Sequence, residues 1–316
     1  MIMKFAFILD PLDHIKAYKD YSVAMMREAQ ARGHEVWAIM RPSLAWRAGA
    51  VHAAASRLVV REDHLEWFEA SVPEDAPLGA FDAVVMRQDP PFDMEYVAAT
   101  WLLERAQAGG VRVFNDPRAV RDTSEKLAIL EFPRLIPETL VAREPEALQA
   151  FIETVGDAIL KPLDGMGGSQ VFRVRRDDPN RNVIVETLTA HGVRTIMAQC
   201  FLPAIAQGDK RILLIGGEVV PFALARIPKP GETRGNLAAG GTGVAQPLGA
   251  RDKEIAGHLA PILHARGLLL AGIDVIGDCL TEINVTSPTC FVEITQQTGF
   301  NVAGLFIDAL ERACAA

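Results

Sequence analysis

The first third of the chain alternates short apolar runs with amphipathic stretches, and this alternation limits the possible folds more than any other feature. The apolar runs predict β-strands at residues 5–9, 36–40, 82–86 and 111–114. The amphipathic stretches predict helices at 22–32 and 94–107, and Gly33 fits a C-terminal cap of the first. Such alternation predicts a mostly parallel sheet covered by helices. A ligand would then lie beyond the carboxyl ends of the strands, near residues 10–11 and 87–91.

The pattern changes after residue 115, where a smaller α+β unit is expected. Its predicted strands are residues 139–142, 158–163, 171–174 and 195–201, and its predicted helices are 124–131, 145–155 and 183–190. Two hairpins follow, with turns at Gly216-Gly217 and Gly277-Asp278, and a helix at 301–313 ends the chain. Between the hairpins, residues 228–243 include five glycines and are predicted to form a mobile loop.

Charge and cysteine content exclude several classes of protein. The chain has 40 acidic and 32 basic residues and a net charge of -8, which argues against non-specific nucleic-acid binding. No apolar run reaches the ~18 residues that a membrane span needs, and the N-terminus lacks the pattern of a signal peptide. The four cysteines contain no C-x-x-C pair and are predicted to be free thiols. We therefore expect a cytoplasmic protein without nucleic-acid or membrane partners.

A lysine and three glycines surround one predicted turn. Lys161 ends a predicted strand, and the glycines at 165, 167 and 168 follow it before the next strand. Glycines allow backbone N–H groups to approach a phosphate closely, and the lysine adds positive charge. The segment is not a Walker A loop, since no Gly-Lys-Ser/Thr ends it and no helix follows. The alternative interpretation is a plain hairpin turn with an exposed lysine.

The second chemical feature is the hairpin that carries Asp274, Glu282 and Asn284. Glu282 and Asn284 are two residues apart on a predicted strand, so they share a face. Two carboxylates and an amide oxygen suit Mg²⁺ held together with nucleotide phosphates. A tight turn would pair residue 274 with 281, whereas a bulge or a three-residue loop would align 274 with 282; we favour the second arrangement. The alternative is a hairpin with solvent-facing acids.

Basic residues form the third feature. Arg211 and Arg226 lie in apolar predicted strands, where an unpaired guanidinium is costly, and Lys210 and Arg234 lie near them in sequence. Bidentate recognition of phosphate or carboxylate is one use for such arginines. Structural salt bridges to acids are the alternative. With the first two features, these residues predict a site for a magnesium nucleotide and an anionic co-substrate.

Four segments in this order resemble the motif set of bacterial glutathione synthetase, an ATP-grasp family. They are RQDPPFD at 87–93, KPLDGMGG at 161–168, ETRGNLAAGG at 232–241 and TEINVTSP at 281–288. The resemblance runs from Lys4 to about Glu311. The ETRGN loop is the most specific segment, whereas the acid–Asn hairpin also occurs in D-alanine–D-alanine ligases and ribosomal-protein glutamate ligases. The resemblance implies an α/β and α+β ATP-grasp fold with an N-terminal parallel-sheet domain.

The resemblance also implies domains and residue roles. The expected domains are a substrate-side domain at 1–122, a lid subdomain at 123–202 and a C-terminal subdomain at 203–316. Residues expected at the phosphates, adenine and ribose of ATP are Lys126, Lys161, Gly165, Met166, Gly167, Gly168, Gln199, Cys200, Phe201, Leu202 and Asp209. Residues expected at the transferring phosphoryl group or the peptide substrate are Arg211, Arg226, Arg234, Asn236 and Ser287. Residues expected to hold two Mg²⁺ or Mn²⁺ ions are Asp274, Glu282 and Asn284.

The implied reaction joins γ-glutamylcysteine and glycine at the expense of ATP, through an acyl phosphate, and gives glutathione, ADP and phosphate. Residues 228–243 would be a lid that keeps water from the acyl phosphate. The resemblance also implies a homotetramer. The alternatives are another ATP-grasp peptide or amino-acid ligase and a non-catalytic nucleotide-binding regulator. Intact metal-type acids and phosphate-type lysines argue against the regulator.

Overall fold

The computed structural model describes residues 2–237 and 240–315 of the chain. Within these residues, no helix is both long and apolar enough to cross a bilayer. The described residues form three β-sheets that follow one another along the chain. This architecture agrees with the predicted α/β and α+β class.

The first sheet has a parallel centre. Its strands are β1 (Lys4–Leu9), β2 (Glu35–Met40), β3 (Ala45–Arg47), β4 (Ala50–Val60), β5 (Phe68–Ala70), β6 (Glu74–Pro77), β7 (Ala83–Met86) and β8 (Val113–Phe114). Strand β1 pairs in parallel with β2 and β7, and β7 pairs in parallel with β8. The helices of this segment are α1 (Tyr21–Ala31), α2 (Met94–Ala108) and α3 (Pro117–Asp122). Asp20 caps α1 by accepting a hydrogen bond from the backbone N–H of Val23 at 2.9 Å.

Strands β3 to β6 were not predicted from the sequence. Strand β4 pairs antiparallel with β2, β3, β5 and β6, so this half of the sheet is antiparallel. Its buried positions include Val51, Ala53 and Ala55, which alternate with more exposed residues. The two alanines weaken the hydrophobic signal of this alternation, because alanine buries little apolar surface.

The second sheet is antiparallel in the order β11-β10-β12-β9. Its strands and helices are β9 (Thr139–Ala142), α4 (Pro145–Val155), β10 (Asp157–Pro162), β11 (Phe172–Arg175), α5 (Arg181–Thr189) and β12 (Ile196–Cys200). The helix predicted at 124–131 is a shorter 3-10 helix at Leu127–Glu131. This unit has its own hydrophobic core, in which Leu148 and Ile152 pack with Leu160 and Val174.

The third sheet is antiparallel in the order β15-β14-β13-β16-β17. Its strands and the helices of this segment are β13 (Asp209–Ile215), β14 (Glu218–Ile227), β15 (Thr242–Pro247), α6 (Ala250–Ala265), β16 (Leu270–Ile276), β17 (Cys279–Asn284), α7 (Phe291–Thr298) and α8 (Val302–Ala315). Both predicted hairpins are present. Strand β15 and helices α6 and α7 were not predicted.

The first and third sheets share one hydrophobic core. Phe5 and Phe7 of β1 belong to the same buried cluster as Leu213 of β13 and Phe306 of α8. The buried side chain of Asn115 ties the two sheets further, because its Nδ2 donates to the carbonyl oxygens of residues 270 and 285 at 2.6 and 2.9 Å. The first and third sheets therefore form one larger body, and the second sheet has a core of its own but also packs against that body through Met197 of β12.

Candidate active site

A cavity of about 780 Å³ is lined by residues from all three segments of the chain. Every residue that the sequence predicted for the site lies on its wall: Lys126, Lys161, Gly165, Met166, Gly167, Gly168, Gln199, Cys200, Phe201, Leu202, Asp209, Arg211, Arg226, Arg234, Asn236, Asp274, Glu282, Asn284 and Ser287. Residues predicted from separate segments are thus brought to one place. The individual roles assigned to them stay predictions.

Two buried lysines connect the glycine loop to the acid–Asn hairpin. Lys161 is 9% exposed, and its Nζ donates to the carbonyl oxygen of Thr281 at 3.2 Å. Lys126 Nζ donates to the carbonyl oxygen of Gly165 at 2.5 Å and lies 3.0 Å from a carboxylate oxygen of Glu282. Burial lowers the pKa of Lys161, and the nearby charge of Glu282 opposes that shift. The alternative of an exposed lysine is therefore wrong.

Arg211, Arg226, Asp209 and Asp274 form a buried charge cluster on the third sheet. Arg211 makes a bidentate ion pair with Asp274. Arg226 Nη2 lies 2.5 Å from Asp209 Oδ2 and 2.9 Å from Asp274 Oδ2. Burial alone would raise the pKa of Asp274, but the two guanidinium groups hold it below its ordinary value. The alternative of structural salt bridges thus describes both arginines in this structure.

Asp209 differs from Asp274 in the same cluster. Burial raises the pKa of Asp209 to about 6, with Arg226 opposing the shift. Its Oδ1 is buried and has no hydrogen-bond partner among the described residues. Asp209 lies on the cavity wall, so a ligand hydroxyl could satisfy this oxygen.

The hairpin has the register that the sequence analysis favoured. Ile276 pairs with Cys279 across a two-residue turn, and a bulge then aligns Asp274 with Glu282. Directly opposed residues of an antiparallel pair share a face, and Asn284 lies on that face as well. Within residues 2–237 and 240–315, no three His, Cys, Asp or Glu side chains form a metal-type group. A metal here would therefore need the amide oxygen or oxygens from a ligand.

The loop after β14 packs against the glycine loop. Arg234 Nη1 donates to the carbonyl oxygen of Gly168 at 3.3 Å. A side chain at Gly168 would place its Cβ 2.6 Å from Oδ1 of Asn236, and one at Gly235 would overlap the carbonyl oxygen of Arg226. Glycine is thus needed at these two positions because neighbouring atoms leave no room for a side chain, as well as for the conformational freedom of the loop. The loop ends earlier than predicted, because β15 begins at Thr242.

Glu125, Arg87 and Ser22 lie on the cavity wall, and sequence reasoning assigned none of them an individual role, although Arg87 belongs to the segment 87–91 that was expected near a ligand. Glu125 accepts hydrogen bonds from Thr286 Oγ1 at 2.8 Å and from the backbone N–H of Val285 at 3.0 Å. Burial, and then the charge of Glu282, raise the pKa of Glu125. Arg87 and Ser22 lie on the wall that the first sheet contributes. For Arg87, its place at the end of a predicted strand was a usable signal.

Two family models match the chain. The model described as "Prokaryotic glutathione synthetase, N-terminal domain" matches residues 3–121, and "Prokaryotic glutathione synthetase, ATP-grasp domain" matches residues 125–299. Two solved structures share the fold over 98% or more of both chains. The ligase PsnB, complexed with precursor peptide PsnA2 and AMPPNP, superposes with a TM-score of 0.64 at 18% identity. The D-cycloserine synthetase DcsG superposes with a TM-score of 0.67 at 15% identity.

Curated relatives are much more similar in sequence. The glutathione synthetase of Nitrosomonas europaea is 59% identical over 314 residues, which cover 98% of this chain and 98% of the relative. The glutathione synthetase of Ralstonia nicotianae is 58% identical over 311 residues, which cover 98% of this chain and 96% of the relative. The match of both family models and identity at this level over nearly the full length agree with the motif resemblance. The chain belongs to the prokaryotic glutathione synthetase family.

Proposed function

We propose that this protein joins γ-glutamylcysteine and glycine with the cleavage of ATP to ADP and phosphate. The observation that supports this reaction best is the set of residues that line one cavity. Two lysines and a glycine loop suit nucleotide phosphates, and two buried arginines line the same cavity. Residues of the first sheet line the rest of the cavity, which leaves room for a peptide beside the nucleotide.

The nucleotide would lie between the second and third sheets. Lys126 and Lys161 would contact its phosphates, and the glycine loop would close over them with backbone N–H groups. Residues 199–202 would hold the adenine through backbone groups, and the unpartnered Oδ1 of Asp209 would accept a ribose hydroxyl. Each assignment uses a group that this structure places on the cavity wall.

A divalent metal fits the donor set of the hairpin. Glu282 and Asn284 share a face with Asp274, and carboxylate and amide oxygens are hard ligands of the kind that Mg²⁺ prefers. We expect Glu282 and Asn284 to contact Mg²⁺ or Mn²⁺, with phosphate oxygens completing its coordination. Asp274 would join them only by giving up part of its contact with Arg211 and Arg226. When bound, the metal would neutralise phosphate charge.

The side chains in and around the buried charge cluster of the third sheet suit the transfer of a phosphoryl group to a carboxylate. Arg211 and Arg226 would hold the transferring phosphoryl group and the cysteinyl carboxylate in line, and their charge would offset the charge that develops during transfer. The glycine amine then attacks the acyl phosphate, phosphate leaves, and an amide bond forms. Arg234 and Asn236 lie on the loop that contacts the glycine loop, so closure there would exclude water from the acyl phosphate.

Assembly and location follow the family resemblance. We propose a homotetramer in the cytoplasm, as the resemblance implies. Light scattering coupled to size-exclusion chromatography measures the mass in solution. A monomeric or dimeric mass at micromolar concentration would contradict the tetramer.

The reaction is tested by coupled release of ADP. Purified protein with ATP and Mg²⁺ should release ADP at a high rate only when γ-glutamylcysteine and glycine are both present. One tripeptide, identified by mass, should form for each ADP. Omitting either amino-acid substrate is the matched control. ADP release that depends on a different amine or a different peptide would replace the proposed substrates with those compounds.

A further inference from the structure

The guanidinium of Arg173 stacks on the ring of Phe201, a residue of the segment 199–202 expected to hold adenine. The guanidinium carbon lies 3.6 Å from the ring centroid, well within the ~6 Å at which a cation and an aromatic face attract each other. The other contacts of this kind among the described residues span 5.5 to 6.0 Å, so this stack is much the tightest. Phe201 lines the cavity, whereas Arg173 does not.

Asp157 contacts both partners of this stack. Its carboxylate accepts two parallel hydrogen bonds, from Nε of Arg173 to Oδ1 at 3.0 Å and from Nη2 to Oδ2 at 2.6 Å. Its backbone carbonyl oxygen accepts a hydrogen bond from the backbone N–H of Phe201 at 2.9 Å. A bidentate pair holds the plane of a guanidinium in one orientation, because two bonds set its direction. Phe201 is therefore held through its backbone and through one face of its ring.

The stack belongs to the hairpin that carries the glycine loop. Arg173 of β11 lies directly opposite Ile159 of β10, and Ile159 lines the cavity. Opposed residues of an antiparallel pair share a face, so Arg173 reaches Phe201 on the cavity face of the second sheet. The loop between the same two strands bears the glycines at 165, 167 and 168. The hairpin expected to position the phosphates thus also holds the segment 199–202.

The residue after Phe201 has a backbone group available to a ligand. The backbone N–H groups of Cys200 and Phe201 donate to the carbonyl oxygens of Glu138 and Asp157, both at 2.9 Å. The N–H of Leu202 donates to no protein group among residues 2–237 and 240–315, and Leu202 lines the cavity. The ring nitrogens of adenine accept hydrogen bonds, so the fit of the base depends on where this N–H lies. Because Leu202 follows Phe201 directly, the stack on Phe201 limits the movement of that N–H.

We propose that Arg173 is a positioning residue for the base of the nucleotide, which acts by holding the Phe201 ring and, through it, the backbone at residue 202. This inference rests on the proposed function, and it names a residue that sets the affinity for ATP without contacting it. A residue of this kind lowers the KM for ATP, because it prepares the pocket before the nucleotide binds. It leaves kcat unchanged, because its contacts are the same before and during phosphoryl transfer. The alternative is that Arg173 and Asp157 form a pair that serves only the stability of the second sheet.

The test compares a nucleotide with a ligand that has phosphates but no base. Calorimetry measures the Kd of ADP and of inorganic tripolyphosphate on the full-length protein, each with Mg²⁺ and without peptide substrate. In Arg173→Gln the Kd of ADP should rise roughly 3- to 10-fold, and that of tripolyphosphate should change less than about twofold. In kinetic assays the KM for ATP should rise by the same factor, with kcat unchanged. The fold should survive, because the side chains of the Arg173–Asp157 pair are 28% and 31% exposed.

A double-mutant cycle shows whether Arg173 acts through the ring. Phe201→Leu removes the stacking surface and should itself weaken ADP binding, and adding Arg173→Gln to it should then cost less than about twofold. Phe201→Tyr keeps the aromatic face and should retain the wild-type affinity. Arg175→Gln is the matched control, because Arg175 lies on the same strand, 3.9 Å from the same carboxylate, and stacks on no ring among the described residues. It should bind ADP as the wild type does.

Three results would overturn the inference. Unchanged ADP affinity in Arg173→Gln would show that the stack does not shape the base pocket. Equal losses for ADP and tripolyphosphate, or a full penalty that persists beside Phe201→Leu, would assign Arg173 a structural role. A wild-type protein that binds no ADP would remove the nucleotide from this cavity, and the inference with it. Failure of peptide ligation alone leaves the binding measurements valid, because they need no peptide substrate.

Discussion

The two walls around the expected nucleotide site are built in opposite ways. The wall on the third sheet holds Asp209, Arg211, Arg226 and Asp274, which are mostly or wholly buried and bound to one another. The facing wall consists of the glycine loop and the loop after β14, where Met166 is half exposed and Arg234 Nη1 donates to the carbonyl oxygen of Gly168. Buried ion pairs fix the positions of charges before a ligand arrives, whereas glycine loops can adapt to it. The contrast indicates that the third-sheet wall holds charges in place, whereas the loops of the facing wall close over a ligand.

Removing Asp274 should break the fixed wall and have the largest effect. Asp274→Ala leaves two buried guanidinium groups without their shared carboxylate, so the free energy of unfolding should fall by about 3–5 kcal/mol. Ligase activity should be lost. Urea unfolding measures the change, and Glu218→Ala is the control, because its exposed pair with Arg312 should contribute less than about 1 kcal/mol. Equal losses in the two variants would show that the cluster does not fix this wall.

The Lys161→Ala variant tests whether this buried lysine, which precedes the glycine loop, binds the phosphates of ATP. Lys161→Ala should raise the KM for ATP and lower kcat, with kcat/KM falling roughly 100-fold. The fold should survive, because the ammonium group donates only to a backbone carbonyl in this structure. Steady-state kinetics and thermal unfolding measure both effects, with Lys253→Ala on the exposed side of α6 as control. Wild-type ATP kinetics in the Lys161 variant would remove its phosphate role.

Arg234 tests whether the adaptable wall closes over the intermediate. Arg234→Ala should lower kcat/KM for the peptide substrate roughly tenfold, and ADP release should exceed tripeptide formation because water reaches the acyl phosphate. Thermal stability should stay the same, since a partly exposed loop arginine supports no core. ADP and tripeptide are measured in the same reaction, and Arg251→Ala is the control. Full coupling, with protease sensitivity unchanged by substrates, would exclude a lid.

The smallest effect concerns the pH dependence of the fixed wall. Burial raises the pKa of Asp209 to about 6, whereas an unfolded aspartate titrates near about 3.9. Between these values the native state holds a proton that the unfolded state has lost, so this group's contribution to stability falls as pH rises through about 6. Asp209→Asn should flatten that slope by less than about 1.4 kcal/mol per pH unit. Urea unfolding across this window measures it, with exposed Asp177→Asn as control. An unchanged slope would mean that Asp209 stays ionised in the native state.

Local sequence patterns predicted the parallel centre of the first sheet and both hairpins of the third. They also predicted that Asp274 aligns with Glu282, because the face shared by acidic side chains constrains the register. They did not predict β4, in which two consecutive buried positions, Ala53 and Ala55, are alanines. The ion pair of Arg226 with Asp274 joins β14 to β16, which belong to different hairpins, and strand pairing beyond a hairpin is not visible in local patterns.

The hardest cavity residues to predict were those that reach the site only through contacts between distant parts of the chain. Glu125 reaches Val285 and Thr286, about half the chain away in sequence. Arg87 was identifiable as a polar residue at a strand end, but its hydrogen bonds to Ser22 and to a backbone carbonyl oxygen of the third segment depend on how these segments meet. Long-range placement of this kind requires the folded structure, because no periodicity encodes it.

The core shared by the first and third sheets has a consequence for synthesis on the ribosome. Phe5 and Phe7 are translated well before Phe306 and Leu310, which belong to the same buried cluster. Part of the apolar surface of the first sheet therefore stays uncovered until α8 has left the ribosome. A chain in this state is prone to aggregation, and chaperones that hold apolar surface would act during that interval. Folding of the first segment is thus completed only by α8, a helix from the far side of the other two sheets in sequence.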